Sequence, residues 1–332
     1  MSKVAKIKTA TIKNANGMTL TVLNYGASII ALNVPNKNRN LTNVVLGFPN
    51  VEDYVNQAPE IQCLNLGASI GRYAGRISKG GFTIRGTFYP ISHVNGLHLH
   101  GGEKGFGKQF WNIDKVDHDD NPQVVLSYTS KHLEEGYPGT VKITVNYTLT
   151  SDNQLKVSYE ATTNLATIIN ITNHSYFNLN ETNTILGQTL NVASDHHLEV
   201  DHQLLPTGNI KPSKDSKFDL NKGLVLSKSN FDGFDDTFVL NSSCSPSIKI
   251  SSKETGISMT VKTNQPAVVV FTPKQLPIFL ATPNTNKEDY PAICFETQNF
   301  PDAPNHKHFP QAVLTPGERY INETIFSFSV ES

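Results

Sequence analysis

Ile168 to Leu179 reads Ile-Ile-Asn-Ile-Thr-Asn-His-Ser-Tyr-Phe-Asn-Leu, which sets a histidine, the side chain best suited to proton exchange near neutrality, among polar neighbours. Its β-branched start predicts a strand, in which residues two apart share a face. One face then carries Ile169, Ile171, Asn173, Ser175, Phe177 and Leu179; the other carries Asn170, Thr172, His174, Tyr176 and Asn178. The second row is either a solvated outer face or the floor of a polar pocket. The complementary group is Glu296, in Ala292-Ile-Cys-Phe-Glu-Thr-Gln298, where the face Ala292, Cys294, Glu296, Gln298 starts apolar and ends polar. This predicts a carboxylate at the mouth of a strand, partly desolvated. Desolvation disfavours the charged form and lifts the pKa toward the range of a general base. The alternative is a structural glutamate paired with an arginine.

Three other stretches carry chemistry. Gly67 to Arg85 holds glycines at 67, 71, 75, 80 and 81, with Arg72 and Arg76 four apart. It lacks the Gly-Lys-Ser/Thr and following helix of a phosphate loop. Either these arginines are solvated, or one donates to a polyol or anion through its planar fork. In Gly96-Leu-His-Leu-His-Gly-Gly-Glu103, His98 and His100 fall on one face and, with Glu103, approach the His-x-His plus Glu grouping of cupin metal sites. The glutamate comes early for that pattern, and the flanking glycines favour a metal-free loop approaching a ligand closely. Asp235, in Gly-Phe-Asp-Asp-Thr-Phe, is either a turn aspartate or a carboxylate holding two sugar hydroxyls beside an aromatic platform. His196, His197, His202, His306 and His308 are expected in solvent, and Cys294 as an inert buried thiol.

The elements that must position these groups are strands. Val141 to Leu149 alternates apolar and polar, and the pattern restarts from Leu155 to Thr162 after Ser-Asp-Asn, predicting an antiparallel meander. Further strands are expected within Met18–Val34, and at 189–193, 247–251, 257–262, 267–271, 278–281, 292–297 and 325–330. Val51 to Gln57 reads as a short helical turn, and Asp201 to Leu226 as a long surface excursion. Many short strands without intervening helices define an all-β chain, an antiparallel sandwich or barrel. With no linker or repeat, residues 1–332 read as one domain. The net charge of −1 over 332 residues, with a pI near 6.8, leaves no electrostatic footprint for nucleic acid or an anionic membrane. No apolar run is long enough to span a bilayer, and no apolar leader segment stands at the N-terminus. Three cysteines without Cys-x-x-Cys spacing point to a reducing, cytoplasmic compartment.

Together the segments resemble one family, the aldose 1-epimerases or galactose mutarotases. The matching pieces are Gly71-Arg-Tyr-Ala-Gly-Arg-Ile77, Leu99-His-Gly-Gly102, Asn173-His-Ser-Tyr-Phe-Asn-Leu179, Gly233-Phe-Asp235, Phe295-Glu-Thr-Gln-Asn-Phe-Pro-Asp302 and Leu314-Thr-Pro-Gly-Glu318, in the family's order and across nearly the whole chain. The resemblance implies a large antiparallel β-sandwich, the mutarotase-like supersandwich, that interconverts hexose anomers without a cofactor or metal. By position, Glu296 looks like the general base, His174 the general acid, His100 a second histidine near the ring oxygen, and Arg76 and Asp235 hydroxyl-binding residues. The partner implied is a small sugar; charge and hydropathy point to no nucleic acid or membrane, and the oligomeric state is left open between a monomer and a weak homodimer. Gly75 and Leu97 stand where many members have Asn, Asp236-Thr237 replaces His-Asn, and Val269 sits where several place a sugar-contacting Gln. The rival expectations are a sugar-binding module without turnover, a hexose-phosphate epimerase using Arg72, Arg76 or Arg85, and a cupin-like metalloenzyme.

Overall fold

The computed structural model describes residues 6–56, 64–276 and 289–331. Two antiparallel sheets dominate it. The larger has nine strands, ordered Asn112–Asp117, Gln123–Ser130, Val141–Leu149, Gln154–Thr163, Tyr320–Val330, Ile257–Thr263, Ile248–Ser251, Thr189–Val192 and Leu224–Val225. The predicted meander forms as read: Val141 pairs with Thr163 and Leu149 with Leu155, with alternate residues of Val141–Leu149 buried. The smaller has six strands, ordered Tyr176–Phe177, Ile293–Gln298, Ala267–Phe271, Asp235–Val239, His196–Val200 and Pro206–Pro212.

Strand alternation gives the six-stranded sheet two unlike faces. Phe238, Val268, Val270, Ile293 and Phe295 point into a core shared with Val145, Val157, Tyr159, Val261 and Phe326 of the larger sheet. The opposite face carries Asp235 and Thr237, then Val269 and Phe271, then Cys294, Glu296 and Gln298, brought side by side by the register. It is covered by the Gly71–Ile77 loop, the His98–Leu99 strand and the chain around His174. Five short sheets or hairpins complete the described fold; helical structure is limited to 3-10 turns such as Val51–Tyr54.

Several expectations are corrected. Ile168 to Leu179 is not one strand. It threads through three sheets in two-residue pieces, Thr167–Ile168, Thr172–Asn173 and Tyr176–Phe177, paired with 313–314, 69–70 and 293–294. It is buried throughout, so its polar row is neither a solvated face nor wholly a pocket floor. Asn170 donates to the Ala74 carbonyl and accepts from the Asn299 amide, while Asn178 donates to the carbonyls of Thr182 and Pro291. Asp201 to Leu226 is more than a loop, since it supplies an edge strand to each large sheet. The strand expected at 278–281 lies outside the described residues.

Candidate active site

Glu296 sits in mid-strand in Ile293–Gln298, not at its mouth, and is 2% exposed. Its flanking residues Phe295 and Thr297 belong to the core face, which forces its carboxyl to the other side. His174 lies in the turn between Thr172–Asn173 and Tyr176–Phe177, anchored by its amide on the Ala68 carbonyl and its carbonyl on the Gly67 amide. The ring is clamped by Tyr176, stacked at 5.0 Å and 25°, and by the edge of His100 at 5.4 Å. Nε2 of His174 stands 3.5 Å from Oε1 of Glu296. The distant histidine and glutamate of the sequence therefore meet in one buried pair.

His100 and Arg76 arrive together. Arg76–Ile77 pairs with His98–Leu99, and the chain then turns at His100, which donates its amide to the Gly75 carbonyl at 3.0 Å and accepts the Gly75 amide at Nδ1 at 3.3 Å. The turn requires glycine next, because a Cβ on Gly101 would collide with the Gly71 carbonyl. Arg76 reaches across to Asp235, Nη2 to Oδ2 3.7 Å, while its Nε is buried without a partner. Asp235 opens its strand as a part-exposed carboxylate and is not a local turn aspartate.

Burial sets the protonation states. It raises Glu296 to about 8, assisted by the Asp235 charge and opposed by Arg76, because a charged carboxyl loses its water there. The same desolvation lowers His174 to about 4 and His100 well below its ordinary value, with the His174 and Arg76 charges adding to the effect. The histidine expected near neutrality is therefore an uncharged imidazole across the working range. The resting site holds a protonated Glu296, two neutral imidazoles and one Arg76–Asp235 pair, a set with no net charge that suits an uncharged ligand. Among the described residues, Oε2 of Glu296 has no partner, nor have Thr172 Oγ1 and both amide atoms of Gln298. An unpaired buried polar atom is costly, so Glu296 Oε2 and the Gln298 amide, which share the site face, are suited to a hydroxylated ligand or water.

The structure separates other candidates from the site. Arg72 is 1% exposed, its guanidinium donating to the carbonyls of Pro138, Gly139 and Lys131 and to Ser130; it is structural. The rival His98–His100–Glu103 metal grouping does not form. His98 turns to the Ser92 carbonyl and the Tyr137 hydroxyl, and Glu103 is exposed. Instead His100, His174 and Glu296 present ligand-type atoms within 4.8 Å of one another. Donors about 2.1 Å from a shared zinc lie at most about 4.2 Å apart, so at that outer limit a metal would have to draw them together. His197 is buried and stacked on Phe218 at 3.8 Å, and His306 pairs with Asp302 at 3.4 Å; neither is simply solvated. Cys294 is the buried thiol expected, but it lies 3.6 Å from His174 Nδ1. The alternation that put Cys294 and Gln298 on the Glu296 face was the signal that both belong to the surroundings of the site.

The aldose 1-epimerase profile matches residues 8–327. Galactose mutarotase of Rattus norvegicus is 37% identical over 326 residues, which cover 94% of this chain and 92% of that protein. Aldose 1-epimerase of Escherichia coli K12 is 31% identical over 339 residues, 97% of this chain and 95% of that one. Among solved structures, an aldose epimerase homologue from C. elegans has a TM-score of 0.88 at 29% identity, covering 98% of this chain and 100% of that chain.

Proposed function

The chain belongs to the aldose 1-epimerase family and is a mutarotase, and on that footing we propose that it exchanges the α- and β-anomers of free hexoses, D-galactose and D-glucose among them, with Glu296 as general base and His174 as general acid. The observation that carries the assignment is the buried pair itself, Nε2 to Oε1 at 3.5 Å, on a face that also holds Asp235 and meets Arg76.

In the productive complex the Glu296 carboxylate takes the proton of the C1 hydroxyl as Nε2 of His174 gives one to the ring oxygen. The C1–O5 bond breaks and an open-chain aldehyde forms. Rotation about C1–C2 presents the other carbonyl face. On reclosure the hydroxyl that was the ring oxygen returns its proton to His174, and Glu296 returns its proton to O1. No electrons or groups leave the sugar, so the scheme calls for no cofactor. His100 borders the ring oxygen, while Arg76 and Asp235 hold hydroxyls. Positioned acids and bases contribute on the order of 10²–10⁴-fold each, ample for a reaction that proceeds slowly unaided. Among the described residues Cys244 and Cys294 are free thiols, which supports a reducing cytoplasmic setting. Polarimetry on fresh α-D-galactose and α-D-glucose tests the reading; the optical rotation of at least one should relax faster than in buffer. Tight sugar binding with no acceleration of either would instead make this a binding module.

A further inference from the structure

His174 meets Glu296 with Nε2, and at its other ring nitrogen a single side chain of hydrogen-bonding type approaches among the described residues, the Cys294 thiol, Sγ to Nδ1 3.6 Å. Cys294 is fully buried on the site face, two residues before Glu296. Its backbone pairs with Tyr176, whose ring stacks on the imidazole. One pair of residues across two strands thus holds the ring, Tyr176 over its face and Cys294 at its edge. Burial and the Glu296 and Asp235 carboxylates push the thiol pKa well above its ordinary value, so Cys294 keeps its proton. A permanent thiol keeps a hydrogen to donate, although it is weak both as a donor and as an acceptor. The carbonyl of His174 is the competing acceptor for a hydrogen on Nδ1; it accepts from the Gly67 amide at 3.0 Å and keeps a second lone pair, so the ring hydrogen is contested between that carbonyl and the thiol's claim on Nδ1.

We infer that Cys294 is a positioning residue for His174, donating its S–H into Nδ1 and so fixing the ring hydrogen on Nε2, where it faces Glu296 and the substrate. A neutral imidazole has one N–H, and with the Nδ1 lone pair occupied that hydrogen resides on Nε2. His174 then acts from its neutral form: giving its Nε2 proton to the ring oxygen leaves an imidazolate that reclosure reprotonates, and no imidazolium has to form in an apolar pocket.

The kinetic half of the inference rests on His174 being the acid; the tautomer does not. Nitrogen-15 spectra of the labelled wild-type protein at pH 7, with His174 assigned by its loss in His174→Asn, should show the Nε2–H form. Cys294→Ala should give mixed tautomers and lower kcat about three- to tenfold, the worth of one neutral hydrogen bond, with KM little changed. Cys294→Ser should recover most of that loss, because a hydroxyl can make the same bond. An Nδ1–H tautomer in the wild type overturns the inference whether or not either Cys294 variant folds. So does a Cys294→Ala protein with unaltered tautomer, or equal kcat losses in the Ala and Ser variants. A shifted tautomer with full kcat upholds the positioning role and removes His174 as the acid.

Discussion

At the residue scale, the site is governed by desolvation acting oppositely on a carboxyl and an imidazole. A glutamate at about 8 is only about one-tenth ionised at pH 7, so the proposed base is scarce in its working form. If Glu296 is the base and His174 acts from its neutral form, kcat/KM should rise about tenfold per pH unit below pH 8 and level off above it; a profile that falls above pH 8 would mean that the pair works with one shared proton and would exclude the neutral His174 acid. Glu296→Gln should lower kcat by on the order of 10²–10⁴-fold, measured by polarimetry, while the sugar still binds. Asp235 raises the Glu296 pKa through its charge. Asp235→Asn should therefore move the midpoint of the pH profile to lower pH, in addition to weakening KM.

At the scale of elements, the chemistry depends on short, irregular segments held by buried polar anchors. The Thr167–Phe177 run passes through three sheets and has little ladder of its own, so Asn170 and Asn173 tie it to loop backbones, with Asn173 donating to the Gly67 carbonyl at 2.9 Å. Arg72 plays the same part for the loop that delivers Arg76. Removing its guanidinium takes the Arg72 donor from the carbonyls of Pro138 and Gly139 and from Ser130, while the Lys131 carbonyl keeps the Glu134 amide, so Arg72→Met should cost roughly 3 kcal/mol or more in urea unfolding. At fixed native population it should change KM more than the pH midpoint. The alternating strands Val141–Leu149 and Gln154–Thr163 were legible because one face is buried and one is wet. The His174 segment misled because both of its faces are buried, and period-two reasoning has no solvent side to detect.

At the scale of the whole molecule, the pair that serves catalysis also tilts stability with pH. Glu296 binds its proton more tightly folded than unfolded, so between about 4.5 and 8 the native state holds more protons and stability falls as pH rises. His174 is the reverse. Between about 4 and 6.5 the unfolded state holds more protons, and stability is lost as pH falls. The two slopes place maximum stability on the mildly acidic side of neutrality, while activity climbs toward pH 8. Thermal unfolding should show the alkaline decline, on the order of a few kcal/mol, and Glu296→Gln should flatten it. We take the chain to be one folding unit, because one core joins both large sheets; calorimetry should then show a single transition, and two resolved transitions would divide it.

The amino-acid sequence alone determined the strand class, the antiparallel meander and the identity of the reactive residue types, because alternation and short motifs are local properties. It also carried Glu296, His174, His100, Arg76 and Asp235 as candidates. Only the tertiary structure decided that the histidine and the glutamate meet at 3.5 Å, that Arg72 and His98 serve the scaffold, and that Cys294 touches His174. Those outcomes depend on register and on which sheet face is covered, and so on the solvent lost around each group. A linear chain does not encode that until distant strands are paired.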